Sequence, residues 1–111
     1  MNKFMIFISK HIIPKGFSGM TLYPFIFLKR EDLKGDPVLI NHEKIHLKQQ
    51  LELLIVFFYL FYFLEWLIKL LIYRKTSLAY KNLSFEREAY QNEHNLEYIS
   101  TRKRWAFLSY L

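Results

Sequence analysis

The sequence predicts a single α+β domain that is mostly α-helical. All three glycines and all three prolines lie within the first 37 residues, so the chain after Pro37 contains no strong helix breaker. Before Pro37, short β-branched and aromatic runs are bounded by Gly and Pro, a pattern typical of strands. A chain of 111 residues, 52% of them hydrophobic, can bury one modest core. We therefore expect short N-terminal antiparallel strands followed by helices.

The β-rich part is predicted to span residues 1–36. Its two predicted strands, Phe4 to Ser9 and Met20 to Leu28, are joined by a loop rich in turn residues. Pro24 lies inside the second run and cannot donate a hydrogen bond to a ladder, which favours an edge strand there. The start of the chain has too short an apolar run before Lys10 for a secretory signal, and we predict none.

Helices are predicted for most of the rest of the chain. Asp36 can cap the first free amides of a helix, and Pro37 fits the first helical position. Asn82 or Ser84 can cap a later helix in the same way. The predicted segments are an HExxH helix over 37–50, an apolar helix or helical hairpin over 51–75, and a third-ligand helix with a basic aromatic tail over 82–111.

The stretch HEKIH at 42–46 is the main candidate for chemistry. His42 and His46 are four residues apart, so on a helix their imidazoles project from one face and can bind one ion. Glu43 lies one position round the helix, where a carboxylate can take a proton from a metal-activated water. Because the chain has no cysteine, any metal ligands must be His and carboxylate. The alternative is two surface histidines on an amphipathic helix, unless a third ligand exists.

The downstream segment offers several third ligands, which are Glu86, Glu88, Glu93, His94 and Glu97. Here the sequence resembles the gluzincin zinc metallopeptidases, in which HExxH is followed by a helix carrying E-x-x-A/S-D. The stretch FEREAY matches this pattern, with Glu86 as the ligand and Ala89 as the small residue. The order GMTLYPFIFL, HEKIHLKQQ, an aromatic helix and FEREAY is similar to small uncharacterised bacterial HExxH…ExxA proteins, over roughly Gly19 to Asn92.

This resemblance implies a zinc ion bound by His42, His46 and Glu86, with Glu43 as the general base of peptide hydrolysis. One position departs from the family, since its Asp, which orients a ligating His, is Tyr90 here. A phenol can hydrogen-bond an imidazole but lacks the charge that raises the basicity of the ligand. We therefore expect the departure to affect catalysis more than zinc binding.

Other roles in this segment stay open at the level of sequence. Glu88 is the alternative third ligand, because Asn92 four positions on can also orient a His. Tyr90, His94 and Tyr98 recur at four-residue intervals and are candidates for stabilising an oxyanion. Each of these side chains can equally be a packing residue or part of a solvated helix face.

The apolar segment from Leu53 to Tyr73 bears on where the protein lies. It opens with 12 residues without a charge, which fits a buried core helix, an interfacial segment or a re-entrant one. A single crossing by residues 51–73, about 34 Å of helix, would leave His46 and Glu86 on opposite sides of a bilayer, so a shared metal site excludes it. Basic residues flank both ends, at Lys44, Lys48, Arg74, Lys75 and Lys81.

We therefore expect a helix or hairpin that dips into one leaflet, peripheral or re-entrant, or that packs against a partner chain in a homodimer. A helix buried in the protein's own core, in an otherwise cytoplasmic protein, is the alternative. The function predicted is that of a membrane-associated zinc metallopeptidase acting on a peptide or protein substrate. A non-catalytic membrane-associated protein with a structural or vestigial metal site is the rival. Nucleic acid is not an expected partner, because the basic residues behind the net charge of +6 are spread along the chain without a groove-reading motif.

Overall fold

The computed structural model describes residues 5–111 and confirms the α+β, mostly α fold class. The sheet comes first and the helices follow. The strands are β1 (Met5–Ile8), β2 (Gly19–Leu22) and β3 (Phe25–Leu28). The α-helices are α1 (Pro37–Glu52), α2 (Val56–Tyr73), α3 (Thr76–Lys81), α4 (Ser84–Asn92) and α5 (Tyr98–Thr101), with 3₁₀ turns at Glu31–Gly35 and Ala106–Tyr110.

The sheet differs from the prediction in two ways. β3 is the central strand, paired antiparallel with β2 but parallel with β1, so the expectation of antiparallel strands is wrong for β1. The predicted strand Met20 to Leu28 is two strands, and Pro24 lies in the turn between them, where its missing N–H is no loss. The edge prediction is therefore wrong for β3. Phe4, predicted as the first strand residue, lies outside the described residues.

Helix α1 begins as predicted. The Asp36 carboxylate accepts hydrogen bonds from the backbone N–H groups of Val38 and Leu39, both at 3.1 Å, and Pro37 follows it. The helix extends two residues beyond the predicted end at 50, and its Leu47 packs with Ile26, Leu28 and Leu33 in one core. This packing fixes the HEKIH turn beside the sheet.

The apolar helix starts later than predicted. Leu54 and Ile55 have positive φ values of 55° and 62°, which a continuous α-helix does not allow. Helix α1 therefore ends before these residues, and α2 begins after them at Val56. Within α2, all of which the structure describes, only Phe58 and Glu65 are buried. The alternative of a helix enclosed in the protein's own core is therefore wrong.

The third-ligand helix is also shorter than predicted, because α4 ends at Asn92 and the 82–111 segment continues as a turn, α5 and a 3₁₀ tail. Its N-terminus is capped from α2. The Glu65 carboxylate accepts hydrogen bonds from Ser84 N at 2.8 Å and from Ser84 Oγ at 2.7 Å. Neither Asn82 nor Ser84 caps α4 with its own side chain. Phe85 and Phe107 pack together with Leu53 and Phe58 and hold α4, the tail and α2 as one core.

Candidate metal centre

The helices α1 and α4 bring three potential metal ligands together. The Nε2 atoms of His42 and His46 lie 3.3 Å and 3.2 Å from Oε1 of Glu86. One ligand atom from each residue lies within 4.8 Å of the others, and all three side chains are buried. A group of two imidazoles and one carboxylate in this geometry can hold a metal ion.

Both histidines are oriented through their other ring nitrogen. His42 Nδ1 lies 2.7 Å from Oε1 of Glu93, and His46 Nδ1 lies 2.7 Å from Oε1 of Gln49. The Gln49 amide is itself fixed, since its Nε2 donates to the Phe85 carbonyl at 3.1 Å. Hydrogen bonds of this kind place the proton on Nδ1 and leave Nε2 free to bind a metal.

The second oxygen of Glu86 is also engaged. The Tyr62 hydroxyl of α2 donates a hydrogen bond of 2.9 Å to Oε2 of Glu86. Burial, and then the adjacent Glu86 carboxylate, raise the pKa of Tyr62 well above its usual value, so the phenol stays protonated and remains a donor. Tyr62 thus leaves Oε1 as the oxygen directed to the two histidines.

The metal-free site retains a proton. Burial lowers the pKa of His46, but the negative charge of Glu86 and its hydrogen bond to the ring outweigh this and raise the pKa to about 9. Burial raises the pKa of Glu86, and the charge of His46 with the hydrogen bonds from both histidines lowers it by more, far below its usual range. His46 and Glu86 therefore form a buried ion pair near pH 7, and a cation would displace the proton.

Glu43 lies between the histidines in sequence and beside strand β2 in space. Its Oε1 accepts a hydrogen bond of 2.5 Å from Thr21 Oγ1. A Cβ added at Gly19 would lie 3.4 Å from Oε2 of Glu43 and closer still to β3, so the glycine allows the carboxylate to approach the strand. Glu43 lines a cavity of about 280 Å³ together with His42, His46 and Glu86, and that volume can hold several water molecules.

The alternative third ligand, Glu88, has other partners. It is fully buried and makes an ion pair with Arg102, which also binds Glu52 through Nη1 at 2.8 Å. Gln49 Nε2 and the Tyr98 hydroxyl donate to the two Glu88 oxygens at 2.9 Å and 2.7 Å. The structure thus directs Glu86, and not Glu88, to the histidines.

The residues suggested for an oxyanion are separated. Tyr90 packs its ring against that of His42, with centroids 4.6 Å apart, and remains 45% exposed. His94 lies beyond the end of α4 with its side chain 79% exposed, and Tyr98 hydrogen-bonds Glu88. The four-residue spacing assumed a continuous helix, whereas α4 ends at Asn92.

Sequence reasoning missed the outer partners of the site. Gln49 could have been found, because it lies one turn beyond His46 on the same face of α1. Glu93 was considered only as a ligand, yet it supplies the carboxylate for His42 that the resemblance expects from an Asp at the position of Tyr90. Tyr62 carried no signal, since nothing in the sequence indicates which face of α2 meets Glu86.

A metal ion held by these three side chains would lie at the wall of the cavity, with room beside it for water or substrate. Two imidazoles and a carboxylate beside an accessible volume are typical of catalytic zinc sites, and the same set also binds non-haem iron(II). Comparison with protein-family models, curated proteins and solved structures finds no match for this chain. The gluzincin resemblance stays a prediction, and the function has to be argued from the site.

Proposed function

We propose that this chain is a zinc-dependent hydrolase of peptide bonds that works at a membrane surface. The observation that carries the proposal is that His42, His46 and Glu86 share one cavity with Glu43. A ligand set with open positions next to a buried, held carboxylate is what metal-assisted hydrolysis requires. The oriented histidines add support, because each has a hydrogen-bonded partner for Nδ1.

The roles of the residues follow from their positions. Zinc held by His42, His46 and Glu86 would supply Lewis acidity and make the attacking water more acidic. Glu43 takes the proton from that water and returns it to the leaving amine. The Thr21 hydroxyl at Oε1 keeps the carboxylate at the cavity wall and leaves Oε2 for the proton.

The cavity also suggests where a substrate lies. It continues into a groove of about 740 Å³, and four aromatic residues line both spaces, namely Phe17, Tyr59, Tyr62 and Tyr80. Such a lining suits apolar side chains of a peptide. An extended substrate peptide cannot pair with β3 as a further strand, because β1 and β2 are already paired with its two edges.

The membrane part of the proposal rests on α2. The helix is long and apolar enough to cross a bilayer, and only 11% of it is buried within the protein. Yet Tyr62 and Glu65 in its middle bind α4, so the helix lies along the protein and cannot stand apart from it as a span. We therefore place it in one leaflet, as in a peripheral or re-entrant protein.

The first test is the zinc content of the purified protein after dialysis. We expect about one zinc per chain in the wild type and a loss in His46→Ala and Glu86→Ala, because each removes a ligand. His94→Ala is the matched control, since that imidazole is exposed and outside the site. Absence of zinc in wild type after reloading, or equal zinc in all four proteins, would refute the metal centre.

The second test separates an enzyme from a structural or vestigial metal site. Glu43→Gln keeps an oxygen for Thr21 but cannot accept the proton, so zinc should stay and hydrolysis of a quenched fluorescent peptide library should be lost. A zinc-loaded wild type without hydrolysis, or equal rates in wild type and Glu43→Gln, would favour the non-catalytic rival.

A further inference from the structure

Helix α2 has its polar side inward. Tyr59, Tyr62, Glu65 and Lys69 all hydrogen-bond within the protein, Lys69 through a bond of 2.9 Å from Nζ to the Asn82 carbonyl. A surface helix of a water-soluble protein has the opposite arrangement, with its polar side in solvent. The two charged side chains of α2, Glu65 and Lys69, are therefore both bound within the protein.

The outer face of α2 is exposed and apolar. We use this name for the side chains at Phe57, Leu60, Phe61, Leu64, Ile68, Leu71 and Ile72. Leu71 is 75% exposed and Ile72 63%, although both are large aliphatic residues. The C-terminal tail extends this surface, since Trp105 and Leu111 line a groove of about 820 Å³ with Phe57, Leu60 and Leu64. Glu52, Glu65 and Lys69 border the same groove, and each of them is bound within the protein. A continuous apolar surface of this kind marks a site of interaction.

Positive charge lies at both ends of the outer face. Arg74 and Lys75 follow the last residue of α2 and are exposed. At the other end, the backbone N–H of Trp105 binds Glu52 at 2.8 Å and brings the exposed Lys103 and Arg104 to the end of α1, close to where α2 begins. The two cationic ends are separated by the length of α2, about 27 Å for 18 residues.

These charges decide between two occupants of the outer face. A second copy packed on this face would bring cationic ends against cationic ends, whether the two helices ran parallel or antiparallel. A bilayer with anionic headgroups provides both an apolar layer for the face and negative charge for its ends. Trp105, at the edge of the apolar surface beside Lys103 and Arg104, suits the level of the headgroups.

We propose that the outer face of α2 docks in the plane of an anionic lipid membrane, with Arg74, Lys75, Lys103 and Arg104 on its headgroups. This proposal deepens the proposed function by naming the surface on which the protein works. It rests on the proposed function only for the reason why the protein would bind a membrane. The metal centre then lies on the water side of α2, about one helix diameter, roughly 10 Å, from the acyl chains. The aromatic groove beside Phe63 and Trp66 opens next to the membrane.

The experiment is flotation of the purified protein with vesicles through a density gradient, in which aggregated protein stays at the bottom. Neutral vesicles are phosphatidylcholine, and anionic vesicles contain added phosphatidylglycerol. We expect stronger binding to the anionic vesicles, and a decrease as salt is added. Each cation at an anionic surface strengthens binding by about fivefold, so Lys103→Gln with Arg104→Gln should weaken it by about 25-fold.

Two further variants test the assignment. Arg30→Gln with Lys34→Gln removes the same charge at the start of and within the 3₁₀ turn that packs on β3 and α1, and should leave binding nearly unchanged. Leu64→Ser with Ile68→Ser replaces two side chains that are 51% and 57% exposed, and should weaken binding to both kinds of vesicle by about tenfold or more.

Three outcomes would overturn the proposal. They are absence of flotation, equal binding to neutral and anionic vesicles, and a stable dimer in solution that Leu64→Ser with Ile68→Ser dissociates. Glu43→Gln should float as the wild type does, because docking does not use the general base. Flotation without hydrolysis would therefore refute the peptidase and leave the docking. Hydrolysis without flotation would refute the docking and the membrane part of the proposed function, and leave the zinc hydrolase.

Discussion

The metal centre and the outer face of α2 differ in how their side chains are contacted by the rest of the protein. Around the metal centre, polar side chains are buried and bound, and across the described residues no buried side-chain nitrogen or oxygen lacks a hydrogen-bond partner. On the outer face, Leu64 and Leu71 are at least half exposed, whereas the two charged side chains of α2, Glu65 and Lys69, are bound within the protein. Buried polar groups are hydrogen-bonded in folded proteins generally, so it is the exposed apolar face that distinguishes this protein and supports the proposed contact with lipid. We therefore expect single substitutions around the metal centre to change stability or metal binding strongly, and single substitutions on the outer face to change stability little.

The largest expected effect is in the network behind the metal centre. Arg102→Ala leaves the fully buried Glu88 without its cation and removes both bonds to Glu52. Loss of one partner of a buried ion pair costs about 3 to 5 kcal/mol. Arg104→Ala, at an exposed residue two positions along, should change the unfolding free energy by no more than about 0.5 kcal/mol. Urea unfolding followed by circular dichroism measures both, and equal values would mean that the network does not hold α4 in place.

The next effect is a dependence on pH that arises at His46. Its pKa is about 9 in the metal-free protein against 6.5 for an ordinary histidine. Protonation therefore stabilises the fold fully below about pH 6.5, and this contribution, at most roughly 3 kcal/mol, is lost as the pH rises through 9. Metal binding requires neutral His46, so the affinity for metal should instead rise over the same interval.

The effect is measured as the difference in the unfolding free energy of the metal-free protein between a pH below 6.5 and a pH above 9. His46→Gln should abolish the difference, and His94→Gln should keep it because that ring is exposed. A decline of the same size in His46→Gln would assign the pH dependence to other groups.

A smaller effect is expected one step outside the ligands. Glu93→Ala removes the acceptor 2.7 Å from His42 Nδ1, and loss of such a partner lowers metal affinity by about 10- to 100-fold. Glu97→Ala is the control, since that residue is exposed in the same segment. Competition with a chromogenic chelator gives the affinities. Equal affinities for the two variants would show that Glu93 does not orient His42 for metal binding.

The two regions also differ in how far the sequence could predict them. The start of α1 and the pairing of His42 with His46 were predictable, because caps and helical spacing are local features. Glu86 was preferred to Glu88 only through the resemblance of FEREAY, because the physical distinction depends on Arg102, which approaches Glu88 from the tail. Glu93 was missed in its orienting role for a similar reason, because α4 ends before it and helical spacing no longer applies.

The strands and the apolar segment show the same limit. Pro24 was placed in an edge strand because the pattern does not separate a strand interrupted by a turn from two paired strands. The composition of residues 53–73 indicated an apolar helix but left its surroundings open. Which side of α2 meets the protein was decided by Tyr62 and Glu65, through contacts with α4 that lie far apart in sequence.

The smallest expected effect is on the outer face itself. Leu64→Ala removes a side chain that is 51% exposed, and in water it should change the unfolding free energy by about 0.5 kcal/mol or less. Leu83→Ala is the matched change at a fully buried leucine and should cost about 2 to 5 kcal/mol, because it leaves a cavity in the core. Both are measured by urea unfolding without lipid. If Leu64→Ala were as costly as Leu83→Ala, the outer face would already be covered by protein in solution, and the contrast between the two regions would no longer point to lipid.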